Sequence, residues 1–432
     1  MSGIQRRLVL VAYMLGGFSA LTAQVEFHGH VYPLARLNFE SRYLNLPHRV
    51  VSLEGQNRGR NVNLFLNTTL EYRLAMNSAA VELQEAYAEF STGLGDFRFG
   101  QQVIAWGAAD GNNPTDNVNP YDFYYLFIPG SDRKASNVMA SVNLYLGSVN
   151  LEVVATPVFQ SNRLPFGEED FPVFEELPFD LDTIPEVRPD RDLENTEFGF
   201  RARMPLSMMD VSLSYFKGFE RMFTAVTNTF PGGISGLEYN PVQVLGGDLV
   251  TFISDWAIRA EGAYFLTEDT NGNLPHLRNP YLQYVLQLDY TGQEYSIMLQ
   301  YLGGYITKVD DDTVTIPLPP GSPIPFVQYT EAEYEGDHIP AKIGMPFAAI
   351  AQNAVLATAS YDFADGRYSV KGQGLYDLDK NGYMIGGKLT LALEEAFDLE
   401  LGISYMDGEE GSRLRTIGEV FSHVYVGMKY SF

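Results

Sequence analysis

The chain closes on the stretch "HVYVGMKYSF", residues 423–432. Val424, Val426, Met428, Tyr430 and Phe432 take every second position, with Tyr425, Gly427, Lys429 and Ser431 between them. Successive side chains of a strand point to opposite faces, so one face of this segment is wholly apolar and carries the last residue with it. Chain ends of soluble domains usually fray in water and do not present such a face. Whatever covers it has to be supplied by the rest of the chain.

The same period recurs along most of the sequence. Val62, Leu64, Leu66, Leu70, Tyr72 and Leu74 alternate with Asn63, Asn67, Thr69, Glu71 and Arg73. Leu282, Tyr284, Leu286, Leu288 and Tyr290 alternate with Gln283, Gln287 and Asp289, and Tyr295, Ile297, Leu299 and Tyr301 with Ser296 and Gln300. This patterning predicts strands with one apolar and one polar face from about residue 25 to the end. About seventeen such runs can be placed, from 25–38 to 421–432. Single-chain bacterial barrels have an even number of strands, so the expectation is about 16, with 18 as the alternative. The open question falls on "HRVVSLEG", residues 48–55, which reads either as a short strand or as part of a loop.

An open antiparallel sheet with one wet face shows the same alternation. Two features point instead to a membrane barrel. Tight turns at Asn77-Ser78, Gly147-Ser148, Thr291-Gly292 and Ala364-Asp365-Gly366 contrast with long polar insertions, as short periplasmic turns contrast with long extracellular loops. Aromatic residues such as Tyr281, Tyr284, Tyr290, Tyr295, Tyr301 and Tyr305 gather near strand ends, where interfacial girdles sit. In lipid the sheet must close on itself, because an open edge leaves backbone groups unpaired. The expected fold is all-β, a transmembrane antiparallel β-barrel over residues 24–432, with the terminal apolar face turned to lipid. Tyr430 and Phe432, with the alternation before them, also resemble the C-terminal signal that outer-membrane barrels present to the barrel assembly machinery.

Composition agrees. The chain has 27 tyrosines, 28 phenylalanines, 40 glycines and only 19% charged residues. It contains no cysteine, which excludes a disulfide framework, a thiol nucleophile and a thiolate metal site. Arg6 and Arg7, the apolar stretch Leu8 to Phe18 and the small residues before Ala23 are expected to form a signal peptide over residues 1–23. That stretch is short for a membrane helix, and no cysteine follows Leu21-Thr22-Ala23 to carry a lipid. The net charge of −25, with no basic patch, argues against nucleic acid as a partner. The expected location is the outer membrane of a diderm bacterium.

Long loops are expected at about 107–135, 161–196 and 310–350. Residues 161–196 hold eleven acids and five prolines, and residues 310–350 hold seven of each. Proline excludes both from central strands. They read either as acidic constrictions that set selectivity or as a solvated cap. Among the residues predicted to point inward, Arg73, Arg98, Glu152, Arg201, Arg203, Arg259, Glu261 and Asp289 are candidates for pore lining and selectivity. Glu71, Glu197, Lys371, Lys388, Asp398, Glu400 and Lys429 share that face. Such charges can also pair with one another across neighbouring strands.

Catalytic chemistry finds little support. None of the six histidines stands beside a recognisable nucleophile, and there is no G-x-S-x-G, so no enzyme is expected. His28 and His30 share a strand face without a carboxylate at ligand spacing. "DLDKNG", residues 377–382, opens like a calcium loop but places Lys388 where the closing acid belongs; a Lys-Asn-Gly hairpin turn accounts for it. No metal and no cofactor are expected.

The most specific segment is "EAYAEFSTGLGDFRFGQQVIAWGAADGNNPTDNVNPYDF", residues 85–123. Gly107 and Gly111 permit sharp backbone turns, and Asn113-Pro114 and Asn119-Pro120 favour turn initiation. Asp116 and Asp122 can accept from nearby amides. This composition reads as an ordered loop packed inside the barrel or against its wall, with Trp106 as anchor. In the rival reading Trp106, Asp110 and Asn113 contact a ligand such as a sugar. Arg98, Gly100, Gln101, Trp106, Gly107, Asp110, Gly111, Asp116, Asn119, Pro120 and Asp122 resemble the pattern of a family of uncharacterised bacterial outer-membrane barrels, in which a strand ending in W-G is followed by a D-G…N-P-x-D loop. A second basic residue of that pattern is glutamine here, Gln101 or Gln102. The resemblance implies channel-like outer-membrane architecture and no particular substrate.

Together these readings lead to the expectation of a porin-like channel for passive diffusion of small hydrophilic solutes, with outer-membrane lipid and the assembly machinery as partners. No energy-coupling segment is read ahead of the strands. An adhesin using its acidic loops and a transporter of hydrophobic compounds are the alternatives. Solute, pore width and oligomeric state are not legible.

Overall fold

The computed structural model describes residues 25–39, 46–73, 77–127, 130–164, 184–227, 234–271, 277–307, 313–317, 326–330 and 343–432. The signal-peptide expectation and most of loops 161–196 and 310–350 lie outside these residues.

The chain forms a closed antiparallel barrel of 18 strands. The first nine are β1 (Val25–Val31 and Leu34–Asn38), β2 (His48–Arg58), β3 (Val62–Arg73), β4 (Ser78–Thr92), β5 (Gly95–Gln102), β6 (Asn137–Leu146), β7 (Val149–Thr156), β8 (Glu197–Pro205) and β9 (Met209–Phe219). The second nine are β10 (Pro241–Ile253), β11 (Trp256–Thr267), β12 (Tyr281–Thr291), β13 (Tyr295–Ile306), β14 (Ala354–Phe363), β15 (Tyr368–Asp377), β16 (Gly382–Glu394), β17 (Phe397–Gly408) and β18 (His423–Ser431). The count is that of the alternative, 18, and not 16. The additional strand is β2, which contains the ambiguous "HRVVSLEG". Its register against β3 shifts between Arg49 and Val51, and such a bulge breaks the period of two that the eye looks for.

Closure takes place at the two ends of the chain. The second part of β1 pairs with β18, Leu34 opposite Gly427 and Asn38 opposite His423. Gly29 and Phe432 exchange both backbone hydrogen bonds, at 3.0 and 2.9 Å. Pro33, with no N–H to give, divides β1 into its two parts, yet its carbonyl still accepts from Met428 at 3.1 Å.

Strand directions place the connections 59–61, 93–94, 147–148, 206–208, 254–255, 292–294, 364–367 and 395–396 at the end that holds Val25 and Phe432. The opposite end carries 103–136, 157–196, 220–240 and 307–353, and also the brief 378–381 turn, where Asn381 takes a positive φ of 53°. The turn at Asn77 also lies at this long-loop end, although its shortness groups it with the other tight turns in the sequence. Strand parity, not loop length, decides the side.

The outer wall is apolar. Val426, Met428, Tyr430 and Phe432 are exposed, Phe432 by 52%, as are Leu213, Leu245, Leu286, Ile297 and Ile403 on other strands. An exposed apolar band of this extent is a membrane-facing surface. At the short-turn end aromatic rings adjoin one another: Trp256–Tyr290 at 5.1 Å, Tyr290–Tyr295 at 5.4 Å, Phe363–Tyr368 at 5.1 Å and Phe397–Tyr430 at 4.9 Å between centroids. The buried apolar residues lie within the barrel instead, where loop 103–136, residues 343–351 and helix α1 (Arg413–Phe421) meet the inner wall.

Candidate functional site

Loop 103–136 leaves β5 and turns into the lumen, packing across the inner faces of β7 to β13. Trp106 belongs to this loop, since β5 ends at Gln102. The strongest attachment is at Glu261, inward on β11. Its Oε2 accepts from the Ala108 and Ala109 amides (2.9 and 3.2 Å) and Asn113 Nδ2 (2.9 Å). Its Oε1 accepts from the Thr115 amide (3.0 Å) and hydroxyl (2.7 Å). Gly107 is required here, because its φ is +99° and a Cβ would lie 2.5 Å from both Glu261 oxygens.

Further attachments flank this one. Gln287 Oε1 accepts from the Asp110 amide at 2.8 Å, and Gln300 Nε2 donates to the Asp110 carbonyl at 3.2 Å. Asn112 Nδ2 donates to Gln300 Oε1 at 3.0 Å. Trp106 is buried, its Nε1 donating to Glu152 at 2.9 Å. Asn119 spans the base of the loop: its Oδ1 accepts from the Ile104 amide (2.8 Å), and its Nδ2 donates to the carbonyls of Gln102 and Ala135 (both 3.1 Å). Asp116 pairs with Lys134, both buried. Burial pushes the Lys134 ammonium down, against the pull of Asp116.

Toward β3 the loop forms a short 3₁₀ turn, Phe123–Tyr125, capped by Asp122, whose Oδ1 accepts from the Tyr124 amide at 3.1 Å. Arg163 joins the Asp122 carboxylate (3.0 Å) to Glu71 of β3 (2.7 and 2.9 Å). Burial pushes the Asp122 carboxyl up, against the pull of Arg163. Arg73 lies over the Tyr124 ring at 4.6 Å. From the far side Arg221 pairs with Glu197 at 2.9 Å and donates to the Asn117 and Val118 carbonyls at 3.2 and 3.0 Å.

The inward charges on the loop-bearing wall are thus largely engaged. Arg201 pairs with Asp248 at 2.9 Å, Arg259 with Asp289 at 3.0 Å and, on an adjoining part of the wall, Arg98 with Glu89 at 2.6 Å. Arg203 joins Arg201 in lining a recess of about 390 Å³ beside the short-turn end. Asp110 is the solvent-exposed member of the loop set. A cavity of about 640 Å³ lies between the loop and the inner faces of β1 to β4 and β15 to β18. The fasteners Gln287, Gln300, Arg163 and Arg221 lie outside the candidates that the sequence singles out. Gln287 and Gln300 were visible as polar members of alternating strands, whereas nothing in the sequence marks Arg163 or Arg221.

A closed barrel with an apolar outer band and an inward loop fastened to one wall defines a porin-like architecture. The chain belongs to the family described as "Protein of unknown function (DUF1302)", whose model matches residues 50–379. Among curated proteins none matches its sequence. Solved structures share the fold at low identity. Acinetobacter baumannii OccAB4 is 9% identical with a TM-score of 0.53, covering 95% of this chain and 99% of that one. Pseudomonas aeruginosa OpdL is 11% identical with a TM-score of 0.52 and the same coverage. Pseudomonas aeruginosa OccK2 (OpdF), solved in complex with glucuronate, is 8% identical with a TM-score of 0.51, covering 95% and 98%.

Proposed function

We propose that this protein is an outer-membrane channel through which small hydrophilic solutes diffuse passively, past a constriction made by loop 103–136. One observation carries the reading: the loop is fastened to one wall by the Glu261 carboxylate, leaving a charged cavity of about 640 Å³ against the other. Flow through such a lumen depends on its width and the charges along it. Lys371, Lys388, Lys429, Arg36, Glu54 and Glu400 are among those that line this cavity. Arg73, Arg98, Glu152, Arg201, Arg203, Arg259, Glu261 and Asp289 lie outside its lining and on this reading shape the wall that carries the loop. On this reading Trp106, Asp110, Asn113, Asp116, Asn119 and Asp122 hold the constriction in shape. The apolar band sits in outer-membrane lipid, and Tyr430 and Phe432 serve as the assembly signal. A barrel acting only as a carrier for adhesive loops has no need of a charged cavity in its lumen.

Liposome swelling tests the proposal. Vesicles carrying the folded barrel should admit neutral sugars with rates that fall steeply as the sugar grows. Equal exclusion of the smallest sugars and of large oligosaccharides by folded barrels would overturn it.

A further inference from the structure

We infer that the wall facing the loop carries a binding subsite for small organic carboxylates with an apolar body. The inference deepens the channel reading and rests on it for its meaning in transport.

The first observation is a matter of register. Lys371 on β15 lies directly opposite Lys388 on β16, Lys388 opposite Gly402 on β17, Gly402 opposite Tyr425 on β18, and Tyr425 opposite Arg36 on β1. Directly opposed residues share a face, so these five form one level of the inner wall. With strands about 4.8 Å apart, the level spans about 19 Å. Lys371, Lys388, Tyr425 and Arg36 all line the cavity.

The second is that this level is under-neutralised. Like charges directly opposite one another destabilise a sheet, yet Lys371 faces Lys388. Glu400 answers Lys388 at 3.2 Å and also accepts from the Tyr32 hydroxyl at 2.6 Å. Among the described residues Lys371 makes no ion pair, and neither does Lys429, although Asp398 lies opposite it in register. Among the described residues Arg36 donates only to the carbonyls of Leu46 and Pro47, both at 3.3 Å. Of the six Lys and Arg side chains in the cavity lining, Lys134 pairs with Asp116, Arg49 with Asp132 and Lys388 with Glu400, which leaves Arg36, Lys371 and Lys429 against Glu54. This excess of cations sits in a chain of net charge −25, and its contrast with the paired charges of the opposite wall is what singles it out. Local rules are broken chiefly where function requires it.

The third is the apolar half of the same cavity. Tyr124, Tyr125 and Phe127 enter it from the loop, and Met406 and Phe421 from the wall and helix α1. The Tyr425 ring packs against Gly402, where a Cβ would come within 2.1 Å of it. The absence of a side chain at 402 therefore keeps the ring on the wall and leaves room beside the two lysines. A cavity of this size, apolar on one side with convergent cations on the other, has the form of a small-molecule site. A carboxylate would meet Lys371, Lys388 or Lys429, and its apolar body the tyrosine and phenylalanine rings.

The test records single-channel current in a planar bilayer with sodium benzoate as probe and neutral benzamide as control. Benzoate should reduce the current of the wild-type barrel in a saturable way, and benzamide should not. The double variant Lys371→Gln/Lys429→Gln should weaken the benzoate effect by about tenfold or more. Both lysines are partly exposed and make no ion pair among the described residues, so folding is not at stake. Lys217→Gln, which removes an exposed cation from the outward face of β9, should leave the benzoate effect unchanged. Equal reduction by benzamide, or an unchanged benzoate effect in the double variant, would overturn the subsite. If the folded barrel passes no current, the channel reading fails. Benzoate binding to the folded protein in detergent, followed by ligand NMR, then decides the subsite: binding weakened by the double variant sustains it, and no binding overturns it.

Discussion

Arg163 shows what single residues do in this lumen. Its guanidinium meets both oxygens of Glu71 and one of Asp122, and both carboxylates are buried. A planar fork matches such a site in a way that a lysine cannot. Removing one partner of a buried pair leaves an uncompensated charge, which costs more than the pair itself contributes. Because the Arg163 side chain is itself 37% exposed, water screens part of this cost, and Arg163→Met is expected to destabilise the barrel by about 1–3 kcal/mol, read as a lower temperature of heat-modifiability in detergent gels. Adding Glu71→Gln should recover part of the loss, because one stranded charge goes with its partner. If the double variant is no more stable than Arg163→Met, the stranded-charge account is wrong.

At the scale of elements, the alternating strands were legible and the inward loop was legible only in part. Side chains on a wall between lipid and water are constrained at every second position, so β3, β12, β13 and β17 announce themselves. The strand β2 did not, because its bulge shifts the period. The loop advertised its order through Gly107, Gly111, Asn113-Pro114 and Asn119-Pro120. Its destination was hidden, since Glu261 lies 146 residues beyond Thr115 and alternation gives only the face a residue points to, not what meets it there. Glu261 thus read as a pore-lining acid when its oxygens are occupied by the loop. The cationic level was hidden for the same reason. Lys371, Lys388 and Lys429 could be placed inward, but only strand register shows that two of them stand side by side with Arg36 further along the same level.

For the whole molecule, the barrel turns a soluble protein's arrangement inside out, with apolar side chains exposed outward and hydrogen-bonded polar groups within. Leu213 lies near the middle of β9 with 71% exposure. On a water-facing surface Leu213→Arg would change stability by no more than about 0.5 kcal/mol. On a lipid-facing wall near mid-depth it should cost about 2–4 kcal/mol. Equilibrium unfolding of the barrel in phospholipid vesicles separates the two, and a neutral result would remove Leu213 from the lipid face.

The central claim is that a conducting lumen is narrowed by a loop held through Glu261. Single-channel conductance of the wild type beside Glu261→Ala, each folded in a planar bilayer, tests it most directly. Without the carboxylate, the Ala108, Ala109 and Thr115 amides lose their acceptor, a loss of about 1–3 kcal/mol for each buried group left unsatisfied. The account predicts stable ohmic steps in the wild type and larger, noisier steps in Glu261→Ala. Identical conductance in two folded barrels would mean that the loop does not limit the passage, and silence from both would contradict the channel itself.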